Sequence, residues 1–132
     1  VYPFVHFPLP HAKDPLLLPG LSQLSDAARW FYERGVGATA ITMGAAGVSV
    51  AVGGKVRATL PAYKVDVVDT SGCGDAFSAG FIWGILHGRD AVSAAEVGVA
   101  MGSATARGLG SDAGVKNFDE LKTFMKETPR LA

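Results

Sequence analysis

The chain has 132 residues, 48% of them hydrophobic, with 12 basic residues balanced by 12 acidic ones. This is the composition of a single globular domain with a packed core, here residues 1–132, and it excludes a disordered chain. Zero formal charge provides no general attraction for nucleic acid or an anionic membrane, so neither is an expected partner. The lone Cys73 rules out an internal disulfide and leaves too few thiols for a structural zinc site, which suits a cytoplasmic protein.

Residues 1–21 read as an irregular lead-in. Pro3, Pro8, Pro10, Pro15 and Pro19 account for five of the seven prolines, and the chain begins at Val1 rather than Met, as a piece of a longer protein would. Ser25 then stands as the N-cap of a helix running through Asp26 to Tyr32, with Gly35 just past its end. ATAITM, Ala38 to Met43, is a short apolar strand. A turn at GAAG and a second strand, Val48 to Val52, follow it. Gly53-Gly54 makes a hairpin into Lys55 to Leu60, whose polar and apolar residues alternate as in a half-exposed strand, and Pro61 ends it. A further strand is expected at Val65 to Val68, then helices from Asp75 to His87 and from Ala91 to Arg107, the latter closing at Gly108. The apolar stretch Ala76 to Leu86 is too short to span a membrane and reads as a buried helix. Asn117 and Glu120 form a capping-box pattern ahead of a last helix that turns Phe118, Leu121 and Phe124 or Met125 inward. Strands interleaved with helices make this an α/β chain.

Of the glycine patterns, GVGATA at Gly35 precedes a strand, GLGSDA at Gly108 follows a helix, and Gly53-Gly54-Lys55 lacks the rest of a phosphate-binding loop. None has the strand-to-helix context that dinucleotide or P-loop binding requires. Gly72-Cys73-Gly74-Asp75 differs, because an extended run stops there and a helix starts. The first N–H groups of a helix lack internal partners, the dipole favours negative charge, and glycines admit a ligand close to the backbone. Such a turn holds an anion. A carboxylate within it, Asp75, repels a resting phosphate but can take the proton of a hydroxyl that attacks one. Thr70, Ser71 and Asp75 are equally able to cap the helix. Cys73 at a helix N-terminus reads either as a thiol of lowered pKa or as a small buried residue.

DTSGCGDAFSAGF, Asp69 to Phe81, resembles the C-terminal signature DTxGAGD of the ribokinase-like, or PfkB, carbohydrate kinases, with Cys73 in place of the common alanine. AITMGAAGVSV, Ala40 to Val50, is similar to the family's strand, T-x-G-x-x-G loop and strand. SATARGLGSDAG, Ser103 to Gly114, falls where the family closes its adenine pocket and cation site. The resemblance implies the C-terminal part of a three-layer α/β/α fold with a largely parallel central sheet. It implies ATP and Mg2+ as cofactors, and phosphotransfer to a hydroxymethyl group of a sugar or related small molecule. An adenosine-type nucleoside kinase and a truncated nucleotide-binding module without kinase activity are the alternatives.

By the same resemblance Asp75 is the catalytic base, and Gly72, Cys73 and Gly74 are the anion hole. Thr42, Gly44 and Gly47, with Gly74, bind the nucleotide. Asp69, Ser71, Ser103, Ala106, Gly108 and Asp112 surround a potassium-type ion, although Asp112 stands where ribokinases often have serine. PHAKDPLLLPG, Pro10 to Gly20, has the frame of the family's N-x-x-E motif with His11 for asparagine and Asp14 for glutamate; Asp14 then binds magnesium through water. Nothing in the chain resembles the acceptor-gripping N-terminal half or its β-sheet lid, through which a full-length relative would form a homodimer.

Overall fold

A computed structural model describes residues 7–12 and 23–132. Asp14 and most of the proline-rich lead-in therefore lie outside the described residues. In chain order the elements are α1 (Leu24–Glu33), β1 (Ala38–Thr42), a short 3-10 turn (Gly44–Ala46), β2 (Val48–Val52), β3 (Lys55–Leu60), α2 (Cys73–Leu86), α3 (Ala91–Thr105) and α4 (Phe118–Glu127). No helix among the described residues is long and apolar enough to cross a membrane.

The three strands form an antiparallel meander in the order β1-β2-β3. This differs from the expected largely parallel sheet. Among the described residues, parallel pairing is confined to the segment before α1, where a bridge joins His11 to Thr42. There the Thr42 N–H donates to the Pro10 carbonyl at 2.9 Å, and the Ala12 N–H donates to the Thr42 carbonyl at 2.8 Å. The β2–β3 hairpin turns on Gly53 and Gly54 at φ 60° and 76°. Positive φ at both central residues is the tight-turn geometry that matches strand twist, and glycine adopts it without a Cβ clash.

β2 is buried on both faces over Val48 to Ala51. Ala40, Val48 and Val50 join Phe77, Phe81 and the small residues of α3 in one cluster. Thr39, Ile41, Ser49 and Ala51, of opposite parity, are buried on the other face. There α1 packs across all three strands with Ala27, Ala28 and Phe31 buried. The layers are thus α1, the sheet, and α3 with α2 and α4 beside it.

Some element boundaries differ from expectation for local reasons. α1 begins at Leu24, one residue before Ser25, and no side chain caps it. α2 begins at Cys73, two residues ahead of Asp75, with Gly72 as N-cap. α3 ends at Thr105, and Arg107 and Gly108 continue in tighter turns to Ala104 and Thr105. Val65 to Val68 is not a strand: Val67 and Val68 are 62% and 57% exposed, and the Val68 N–H donates to the Ala106 carbonyl after α3, so no strand neighbour pairs with it among the described residues. The capping box of α4 forms with its return bond shifted by one residue, to the N–H before the N-cap. Asn117 Oδ1 accepts from the Glu120 N–H at 2.9 Å, and Glu120 Oε2 accepts from the Lys116 N–H at 2.9 Å.

The helical layer is held by glycines. A Cβ on Gly84 would lie 2.7 Å from Ala94 Cα, and one on Gly80 would lie 3.0 Å from Gly98 Cα and from the Val97 carbonyl oxygen. One on Gly98 would meet the Phe77 ring at 2.8 Å. Alanine is the better helix former by about 1 kcal/mol, but overpacking a tight interface costs roughly 1–3 kcal/mol. Gly84→Ala is therefore expected to lower the melting temperature. Gly74→Ala, where an added methyl meets nothing within 4 Å, is expected to hold or raise it. Thermal unfolding of the pair followed by circular dichroism checks this, and equal melting temperatures would refute the close-packing account.

Candidate active site

The turn into α2 is built by Gly72 at φ 75° and ψ −2°, a left-handed conformation. A Cβ there would meet Ser111 Cα at 2.7 Å, so both conformation and space demand glycine. No side chain caps α2. The Cys73 N–H donates to the Thr70 carbonyl at 3.3 Å, while the N–H groups of Gly72 and Gly74 find no acceptor among the described residues. An uncapped N-terminus of this kind offers donors and the positive end of the dipole to an anion.

Asp69 shapes this turn from behind. One carboxylate oxygen accepts from the Ser71 N–H at 2.9 Å and the other from the Gly110 N–H at 3.1 Å. These bonds, led by that from Ser71, hold the Asp69 carboxyl below its usual range. The pair of bonds ties the motif to the loop after α3. Cys73 behaves as a small, partly buried residue rather than as an activated thiol: burial pushes its pKa up, and the nearby Asp69 charge adds to the shift. Desolvation comes first and the Asp69 charge second, against a smaller lowering by a backbone hydrogen bond.

The second loop turns at Gly44 and Gly47, both at positive φ. The Met43 N–H donates to the Gly47 carbonyl at 2.8 Å, and the Gly47 N–H to the Gly44 carbonyl at 2.9 Å. A side chain at Gly47 would collide with the Leu60 carbonyl, which fixes this loop against the exit of β3. Thr42 Oγ1 faces the Pro10 carbonyl at 3.4 Å.

These two loops share one cleft of about 490 Å³. Thr42, Gly44 and Gly47 line it from the sheet, Cys73 and Gly74 from the start of α2, and Ser103 and Ala106 from α3; His11 lies at its edge. The Cβ of an alanine at Gly102 would sit 3.0 Å from the Cys73 carbonyl oxygen, so α3 supports the first turn of α2 directly. Asp75 follows Gly74 in that turn and is exposed.

The residues expected around a monovalent ion are brought together in part. Ala106 accepts from the Val68 N–H at 2.8 Å and the Asp69 N–H at 3.4 Å, so Asp69 and Ala106 adjoin. Ser103 Oγ instead accepts from the Tyr63 N–H at 3.1 Å, on the cleft side. Gly108 packs against Ala113, and Asp112 is exposed in the next turn. Sequence reading missed the apolar wall of the cleft, made by Val65, Val67, Val99 and Leu131. No motif marks these residues, and only their valine and leucine character hinted at burial.

The pfkB family carbohydrate kinase model matches residues 15–117. The chain belongs to that family. It is 35% identical to a cytidine kinase of Thermococcus kodakarensis over 86 residues, 64% of this chain and 31% of that protein. It is 32% identical to the 2-dehydro-3-deoxygluconokinase of Bacillus subtilis over 117 residues, 88% of this chain and 36% of that protein. It therefore spans about a third of the length of these relatives. Among solved structures, a ribokinase II from E. coli in complex with ATP and Mg2+ superposes with a TM-score of 0.84 at 26% identity, covering 95% of this chain and 40% of that one. The fold is that of the ribokinase-like kinases.

The burial-raised thiol of Cys73 predicts slow alkylation. The iodoacetamide rate should rise with pH around a midpoint above that of free cysteine, because the thiolate appears only at higher pH. A midpoint below that of free cysteine would show that the helix dipole dominates instead.

Proposed function

We propose that this chain carries the nucleotide site and the catalytic base of an ATP-dependent kinase that phosphorylates a hydroxymethyl group of a sugar or related small molecule. The observation that carries this reading is the single cleft joining the uncapped start of α2 to the Gly44–Gly47 loop and the face of α3. Its volume suits a nucleotide, and the uncapped start of α2 that opens into it suits the phosphates. In this reading Thr42, Gly44 and Gly47 hold the nucleotide, and the N–H groups of Gly72 and Gly74, joined by that of Cys73 as its long 3.3 Å bond to the Thr70 carbonyl gives way, receive the charge that develops on the γ-phosphate.

Asp75 stands exposed beside that anion hole, open to an acceptor arriving from solvent. As the hydroxyl oxygen attacks the γ-phosphorus, its proton passes to the Asp75 carboxylate. The new oxygen–phosphorus bond forms while the bond to the β,γ-bridging oxygen breaks, and ADP leaves with that electron pair. Magnesium, arriving with the nucleotide, would neutralise the phosphate oxygens. Magnesium is commonly held by substrate phosphates, water and one or two carboxylates. Asp14 is the proposed water-mediated partner. Asp69, the Ser71 carbonyl, Ser103, Ala106, Gly108 and Asp112 are the proposed surroundings of a potassium-type ion, a reading supported by the contact of Asp69 with Ala106 and the Gly110 loop.

A nucleoside acceptor is the second reading, favoured by the cytidine kinase among the relatives. The chain's short span keeps a nucleotide-binding module without turnover as the third. Asp75→Asn in the full-length protein should lower turnover by about 10²–10⁴-fold while leaving MgATP affinity nearly unchanged. Acceptor-dependent ADP release over a panel of pentoses, sugar acids and nucleosides, run beside calorimetric titration of MgATP, separates the readings. Undiminished turnover by the variant would remove Asp75 as base. Absent binding by the folded wild type would remove the nucleotide site, and binding without turnover on any acceptor would leave the non-kinase module.

A further inference from the structure

The segment after α4 is built into the cleft wall. The Lys64 N–H donates to the Pro129 carbonyl and the Leu131 N–H to the Ala62 carbonyl, each at 2.8 Å, an antiparallel bridge centred on Tyr63 and Arg130. Arg130 secures this bridge twice. Its guanidinium lies 3.9 Å from the centre of the Tyr63 ring, and its Nη1 donates to the Pro61 carbonyl at 2.8 Å. The Tyr63 ring is fixed in turn, packed at 5.0 Å on Phe124 of α4, while its N–H donates to Ser103 Oγ inside the cleft.

In an extended segment successive side chains point to opposite faces. With Arg130 committed to Tyr63, Leu131 falls on the other side and lines the cleft together with Ala62, Val65 and Val99. The cleft is thus chemically divided. Cys73 and Gly74 bring the start of α2 to one part of it, and Leu131, with Ala62, Val65, Val99 and the rings of Tyr63 and Phe77, gives another part an apolar wall. A nucleotide is divided the same way, with charged phosphates at one end and a flat, largely apolar base at the other.

We propose that Leu131 is a nucleotide-contacting residue that packs on the base, and that Arg130 is its positioning residue. This rests on the nucleotide site proposed above and adds to it a wall supplied by Pro129–Leu131. Because the two backbone hydrogen bonds do not involve the Leu131 side chain, that side chain can be changed while the bridge persists.

The test compares MgATP with magnesium tripolyphosphate, which has phosphates but no base, by calorimetric titration of the full chain. Leu131→Ala should weaken MgATP about fivefold or more through lost apolar contact, with tripolyphosphate affinity unchanged. Arg130→Ala should show the same selective loss, and Arg130→Lys, which keeps the charge but not the planar stack, should not restore it. Leu131→Gln keeps the volume and should show the loss even where the alanine variant does not fold. Unchanged MgATP affinity in Leu131→Ala or Leu131→Gln would overturn this inference while the nucleotide site stands. Equal losses for both ligands would also overturn it, leaving the segment a purely structural element. Wild-type protein that binds neither ligand would remove the nucleotide site and this inference together.

Discussion

Where α2 crosses α3, the partners meet without intervening side chains: Gly84 stands over Ala94, Gly80 over Gly98 and Val97, and Gly102 under the Cys73 carbonyl. Each of these contacts would be broken or strained by a single methyl group. Backbone atoms of Ala94, Gly98, Val97 and Cys73 bound the approach, together with the Met101 side chain and the Phe77 ring, so it leaves little freedom in the position of α2. The Phe77 ring, lying against Gly98, extends the same contact into the core with Phe81 and the sheet residues Val48 and Val50.

The candidate site depends on that contact because its proposed anion-binding end is the first turn of α2. With α2 seated on Gly98 and Gly102, Cys73 and Gly74 line the same cleft as the Gly44–Gly47 loop. Asp69 secures the same turn from the other side through the N–H groups of Ser71 and Gly110. Both restraints act on backbone, as the proposed oxyanion hole requires: donors that are already in place and need no reorganisation when charge develops. Asp75, carried on the same turn, inherits that rigidity.

Much of this was legible in the chain itself. The Gly53-Gly54 hairpin, the Asn117–Glu120 capping box, the glycine turn before Asp75 and the T-x-G-x-x-G loop all occur where the sequence places them. The failures share a cause. Val65 to Val68 has strand residues but no strand beside it among the described residues, since its hydrogen bond runs to Ala106. Ser25 has the chemistry of a cap, but α1 starts a residue earlier. For Cys73, where the sequence offered an activated thiol or a small buried residue, burial and the Asp69 charge favour the second.

By itself, then, the sequence determined the turns, the α4 cap and the chemistry offered at Asp69 to Asp75, because each depends on φ preferences and hydrogen bonds between residues a few positions apart. Only the tertiary structure decided that the two glycine loops and the face of α3 share one cleft, that its apolar wall includes Val99 and Leu131, and that Ser103 turns its hydroxyl to Tyr63. Those outcomes rest on distances between segments far apart in the chain. The close seating of α2 on α3 and the pairing of Ala62 to Lys64 with Pro129 to Leu131 set them, and no local pattern encodes either.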